Sequence, residues 1–173
     1  MVNTIIRNKE HALYSVFKAL YTISFPIFEQ RTEVQQEKAF CCPHYFLSAY
    51  TENEVFVGFI GHWEFDSYIY IEHFAIDQTL RGKGHGSKIL TDFINKNSKI
   101  VLLEIDPVMD DISAARLRFY QRCGFHSNNY THTHPPYRPG YEGHSLLVLT
   151  TVREITKDEY KQFYDDLYNR IMK

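Results

Sequence analysis

The chain has 173 residues, enough for one well-buried core and too few for two ordinary domains. Apolar residues make up 44% and aromatic ones 16%, which excludes a disordered chain, and a formal charge of −2 with no run of Lys or Arg excludes a surface that tracks a phosphate backbone. No stretch approaches the roughly 20 apolar residues of a membrane helix, and Met1 to Arg7 lacks the layout of a signal peptide, so a cytoplasmic protein that binds neither nucleic acid nor membrane is expected.

Leu13, Val16, Phe17 and Leu20 recur at helical spacing and predict a helix over about Lys9 to Tyr21 that closes near Pro26. A shorter helix is expected over Glu33 to Phe40. Tyr45 to Tyr50, Val55 to Trp63 and Tyr68 to Ile76 are rich in β-branched and aromatic residues and are separated by polar turns, the pattern of three antiparallel strands. After Arg81-Gly82-Lys83-Gly84-His85-Gly86, the residues Ile89, Leu90, Phe93 and Ile94 mark a helix and Ile100 to Ile105 an apolar strand. A helix over Asp111 to Arg122 stops at Gly124. A long loop from about Asn128 to His144 leads to a strand over Leu146 to Thr150, and Tyr160, Phe163, Tyr164, Leu167 and Ile171 form the apolar face of a last helix. Three cysteines, two of them adjacent, make no disulfide framework and no zinc spacing, and read as small buried hydrophobes.

The glycine loop carries the chemistry. A P-loop needs Gly, four residues, then Gly-Lys-Ser/Thr, which Gly82 to Ser87 does not provide; a dinucleotide fingerprint needs a third Gly or Ala at position 87, where this chain has Ser, and normally opens from the first strand of a parallel sheet, whereas this loop follows a meander. A third pattern, Gln/Arg-x-x-Gly-x-Gly/Ala, is met by Arg81, Gly84 and Gly86 between a strand and a helix. Residues without side chains let the backbone close on a pyrophosphate, and the N–H groups that open the next helix face it with the positive end of the dipole. Downstream, Tyr120-Gln121-Arg122-Cys123-Gly124-Phe125 closes a helix in Tyr-x-x-x-Gly-Phe. With both signatures in order, the chain from about Val55 to Thr150 resembles the GNAT superfamily of N-acetyltransferases.

The resemblance implies an α+β fold, an α/β sandwich with a central mixed, mostly antiparallel sheet of six to seven strands, helices on both faces and a splayed strand pair, all in one domain spanning residues 1–173. It implies acetyl-CoA as cosubstrate, with Phe74, Ala75 and Ile76 along the pantetheine, Arg81 to Ser87 (Gly82, Lys83, Gly84, His85 and Gly86 between them) at the pyrophosphate, and Ser113 where the family often has Asn. The thioester then lies near Glu72, which makes Glu72 the first candidate base for a neutral amine nucleophile, with Glu104 and Asp106 as rivals on the opposing strand. Tyr120 matches the position from which a phenol protonates the departing thiolate. His73 alternates away from Glu72 and reads as a packed histidine. Tyr137, Arg138 and Tyr141 of the long loop, with Glu29 and Arg31 from the early helical region, are candidates for the acceptor side. His132, His134, His126 and His144 invite a metal, but no third ligand falls at a recognisable spacing and the chemistry needs none, so no metal is expected. The expected reaction is acetyl transfer to a primary amine of a small molecule, with a non-catalytic acyl-CoA sensor or a peptide or protein N-acetyltransferase as alternatives and a homodimer left open.

Overall fold

The computed structural model describes residues 1–173. Eight strands, β1 (Val2–Ile6), β2 (Tyr45–Glu52), β3 (Val55–Glu64), β4 (Tyr68–Ile76), β5 (Ile100–Ile105), β6 (Phe125–Ser127), β7 (His132–His134) and β8 (His144–Thr151), are interleaved with five α-helices. These are α1 (Tyr14–Ser24), α2 (Glu33–Cys41), α3 (His85–Asn95), α4 (Asp111–Arg122) and α5 (Lys157–Asp166), the last continued by a wide turn over Leu167–Ile171. The sheet order is β1-β2-β3-β4-β5-β8-β6, with β7 on the outer part of β8, and every pairing is antiparallel except β4 with β5. This is the α+β architecture that the resemblance implies, with eight strands where six to seven are expected; β1, β6 and β7 are the strands that the apolar pattern does not mark.

Alternation along the strands sends side chains to two cores. Phe59 and Tyr70 join Phe17, Leu20 and Phe163 beneath α1 and α5, whereas Ile60, Ile69 and Ile71 join Ile89, Leu90 and Phe93 of α3 on the other face. No helix is long and apolar enough to cross a membrane. The cysteines are unpaired and none is fully buried as expected: Cys41 is exposed, and Cys42 and Cys123 are half-buried.

The first helix begins later than its apolar spacing predicts. Residues 8–13 are held in a turn, with Asn8 Oδ1 accepting from the Glu10 N–H and His11 Nδ1 from the Leu13 N–H. It ends where Phe25, extended because Pro26 follows, leaves the α region. The opening of α2 is set by a capping box in which Thr32 and Gln35 bond each other's backbone N–H.

One irregularity shapes everything that follows. Gly61 pairs with His73 but His62 pairs with Ile71, so Glu72 is an extra residue in β4. A bulge of this kind turns its strand and sharpens the local twist. β4 is hydrogen-bonded to β5 only from Tyr68–Ile100 to Tyr70–Leu102, and beyond the bulge the two strands part. The expected splayed pair is therefore present, and a cleft opens between its arms.

Candidate active site

The cleft measures about 1130 Å³ and runs from the glycine loop, along β4 and α4, to the short helical turn Ile27–Glu29 and the start of β8. At one end Gly82 and Gly84 have φ of 76° and 83°, a region that costs most L residues energy, and Gly84 caps α3. A Cβ on either would meet nothing within 4 Å, so the backbone here is open to an incoming group. Gly86 instead packs: a Cβ there would sit 3.4 Å from Ile76 and 3.6 Å from Phe119. The Arg81 Nε–H donates to the Ile76 carbonyl at 3.1 Å, which ties the loop to the end of β4. Ile76 is one of the residues expected along the pantetheine, and this bond takes up its carbonyl. On the β5 side no strand pairs with Glu72 to Ile76, which leaves backbone groups of Phe74 and Ala75 for a ligand to meet.

Not every expected cofactor residue faces the cleft. Arg81, Gly82, Gly84, Gly86 and Ser87 line it, as do Phe74, Ala75 and Ile76. His85 turns to Glu52 of β2, its Nδ1 3.7 Å from the carboxylate, and Lys83 is exposed at the loop's tip. Ser113 is buried away from the cleft. Its hydroxyl accepts from the N–H groups of Met109 and Asp110, and its own N–H donates to Asp110 in the capping box of α4, so this candidate cofactor residue is engaged in a helix cap.

Glu72 departs most from expectation. Its side chain is fully buried, Arg31 Nη2 lies 2.6 Å away, Trp63 Nε1–H donates to Oε1 at 2.8 Å and the Tyr137 hydroxyl to Oε2 at 2.7 Å. Burial is the largest influence and would raise its pKa, but the Arg31 charge, His73 and the two hydrogen bonds together outweigh it and hold the carboxyl down at about 2. A carboxylate so saturated is a poor proton acceptor at neutral pH. The first candidate for the base is thus a structural anion. Arg31, expected on the acceptor side, is its counter-ion.

His73 does not alternate away from Glu72. The bulge sends both to one face, where the His73 ring packs between Tyr21 and Phe25 at 4.9 and 4.8 Å and burial lowers its pKa to about 4. Its Nε2–H donates to the Glu29 carbonyl at 2.9 Å. Two adjacent side chains of β4 thus grip residues 29 and 31 of the segment that crosses the cleft.

Glu29 is about a quarter exposed and its carboxylate lies 3.7 Å from His144 Nε2. Burial, reinforced by the charge of Asp106 and opposed by Arg116, raises its pKa to about 7. Asp106, just past the end of β5, pairs with Arg116 at 3.0 Å. Glu104 also lines the cleft but is held from three sides. The Tyr70 hydroxyl and His132 bond it and His134 Nε2 stands at 4.0 Å; these contacts outweigh burial and lower its pKa. His132 is bonded in turn to the Tyr160 hydroxyl at 2.7 Å. No group of three His, Cys, Asp or Glu side chains is placed to hold a metal ion.

Tyr120 lines the cleft from the last turn of α4, and burial pushes its phenol up to about 12. Tyr137 lines it too, but Arg138 does not: its guanidinium donates to the carbonyls of Gln30 and Arg31 and fastens the long loop to the segment before α2. Tyr141 is exposed, its ring 6.4 Å from that of Phe28. The sequence reading missed His134 and His144 as cleft residues. The signal was present, since His-Thr-His places positions 132 and 134 on one face of a strand.

The model of the family described as "Acetyltransferase (GNAT) family" matches residues 11–125. YjbC of Bacillus subtilis (strain 168), named as an acetyltransferase, is 43% identical over 64 residues, which is 36% of this chain and 33% of that protein, so the match spans a third of that relative's length. Among solved structures, a GNAT-family protein of Bacteroides thetaiotaomicron superposes with a TM-score of 0.92 at 22% identity, covering 99% of this chain and 98% of the other. A GNAT-family acetyltransferase of Elizabethkingia anophelis with acetyl-CoA bound superposes with a TM-score of 0.57 at 16% identity, covering 87% and 96%. The chain belongs to the acetyltransferase (GNAT) family, the acetyl-CoA-dependent acetyltransferases of this fold.

Proposed function

We propose that the protein transfers the acetyl group of acetyl-CoA to a primary amine of a small molecule by direct attack, with Glu29 taking the amine's proton and Tyr120 protonating the CoA thiolate. The observation that carries this reading is the continuity of one cleft from Gly82 and Gly84, past Phe74 and Tyr120, to the carboxylates of Glu29, Glu104 and Asp106. A ligand with its pyrophosphate on the glycine loop and its arm along the free edge of β4 would bring its thioester between Tyr120 and those carboxylates.

An alkylammonium with a pKa near ~10.4 costs roughly 4–5 kcal/mol to deprotonate at pH 7. Glu29, at about 7, is matched to accept that proton near neutrality, and its partial exposure lets it reach the cleft. The neutral amine nitrogen bonds to the carbonyl carbon, the C–S bond breaks, sulfur leaves with the electron pair, and the acylated nitrogen sheds its remaining extra proton to solvent to give the neutral amide. A phenol kept neutral by burial donates its proton to that sulfur and recovers one from solvent. The acidic groups around Glu29 would attract a cationic acceptor. The fold also supplies the larger share of any rate: alignment of donor and amine is worth roughly 7–11 kcal/mol, against about 10²–10⁴-fold for proton transfer.

The test is CoA release from acetyl-CoA with a panel of polyamines, amino acids, aminoglycosides and peptides. Turnover on a small primary amine is expected. Thermal stabilisation by acetyl-CoA with no turnover on any amine would favour a sensor and overturn the proposal.

A further inference from the structure

Arg31 also lines a second, smaller pocket of about 160 Å³, to which Glu72 does not contribute. It lies between α2 and the wide turn that ends the chain, walled by Trp63 of β3. Four of its lining residues, Arg31, Lys38, Arg170 and Lys173, are cationic and none is acidic, in a chain whose formal charge is −2.

The Arg31 guanidinium lies over the rings of Tyr45 and Trp63 at 5.2 and 5.5 Å, and its side chain is 4% exposed. Glu72 Oε1 lies 2.6 Å from Nη2 as an ion pair, yet both Nη1 and Nη2 are buried and neither makes a hydrogen bond of regular geometry. An Arg presents five N–H donors, and a buried charged donor without an acceptor is rare in native proteins. Arg170 is held in place, with its Nη1 3.4 Å from Asp166 Oδ1, its Nη2 2.9 Å from His44 Nε2 and its guanidinium 4.5 Å above Phe65. Lys38 is exposed at the rim.

We propose that this pocket binds a small oxyanion of phosphate size, with Arg31 at its base and Lys38 and Arg170 at its rim. A tetrahedral oxyanion offers several acceptors to converging donors, and guanidinium groups match them in geometry as well as charge. Apart from Tyr137 the pocket shares no lining residue with the acetyl-CoA cleft, so it stands whether or not the amine reading of that cleft holds.

Trp63 is the single tryptophan of the chain and a wall of this pocket, so its fluorescence reads the site directly. The full chain is titrated with inorganic phosphate at fixed ionic strength, with chloride as control. A saturable change is expected, weakened roughly tenfold by Lys38→Glu, which reverses an exposed charge at the rim and leaves the core intact. Arg170→Gln is expected to weaken it as well, and Arg81→Gln, in the glycine loop, to leave it unchanged. The proposal is overturned by no saturable change, by an affinity that Lys38→Glu and Arg170→Gln do not alter, or by loss in Arg81→Gln, which would place the phosphate on the glycine loop.

Discussion

Arg31 Nη2 stands 2.6 Å from Glu72 Oε1, with 4% of one side chain and none of the other exposed. The pair joins β4 to the segment between α1 and α2, on the face where alternation from Tyr70 places Glu72. Removing one partner of a buried pair leaves the other charge unpaired, which costs about 3–5 kcal/mol. Glu72→Gln should therefore lower the free energy of unfolding in urea by that order. Because the folded Glu72 carboxyl sits at about 2, below its ordinary 4.5, the stability it adds is fully present above about pH 4.5 and is lost as pH falls toward 2. The same variant should flatten the acid limb of the stability curve. An unchanged acid limb would show that the pair does not link stability to pH.

Tyr120 offers a cleaner separation of chemistry from binding. Burial keeps its phenol protonated at neutral pH, and its ring packs edge-on against Phe119 and Phe125, so Tyr120→Phe removes one oxygen and leaves the packing in place. The expected outcome is a kcat reduced by about 10²-fold with the KM for acetyl-CoA little changed. If KM rises while kcat holds, Tyr120 binds the cofactor and does not serve as the acid.

Much of this architecture is legible in the chain. The alternation in Tyr68 to Ile76, the apolar run of Ile100 to Ile105 and the spacing of Arg81, Gly84 and Gly86 locate the cofactor end of the cleft. The acceptor end is not legible in the same way, because it depends on one inserted residue. A bulge leaves no mark in a strand whose residues are nearly all apolar or aromatic, and it reverses which neighbours of Glu72 share its face. Arg31 and Arg138 look like substrate ligands in sequence because charged residues in loops usually face solvent, whereas here tertiary partners, a buried carboxylate and two carbonyls, take them up. Ser113 illustrates the same limit at short range. Its hydroxyl goes to a helix cap that the Asp110-x-x-Ser113 spacing could have signalled.

Gly84 tests the cofactor end. A side chain at φ of 83° is strained by about 1–2 kcal/mol, and an indole there would project into space where nothing lies within 4 Å of the Cβ. Gly84→Trp should abolish acetyl-CoA binding measured by calorimetry while leaving the circular dichroism spectrum intact. Gly86→Ala should be milder, since its Cβ would make contacts of 3.4–3.8 Å with the side chains of Ile76, Phe119 and Phe74. Normal acetyl-CoA binding by Gly84→Trp would remove the glycine loop from the site.

Glu29 makes the sharpest prediction, because its pKa has a neighbour that can be changed separately. Burial is the first cause of its rise to about 7, and the charge of Asp106 is the second, opposed by Arg116. The base form is the deprotonated one, so kcat/KM should fall as pH drops through about 7. Ionisation of a free amine acceptor also steepens the profile, but with a pKa near ~10.4 that no protein variant moves. Asp106→Asn removes the repulsion and frees Arg116 from its 3.0 Å pair, and both changes favour the charged carboxylate. Its acid limb should therefore shift to lower pH. Glu29→Gln should lose that limb altogether and run about 10²–10⁴-fold slower. An acid limb that stays put in Asp106→Asn and survives in Glu29→Gln would assign the proton to another group.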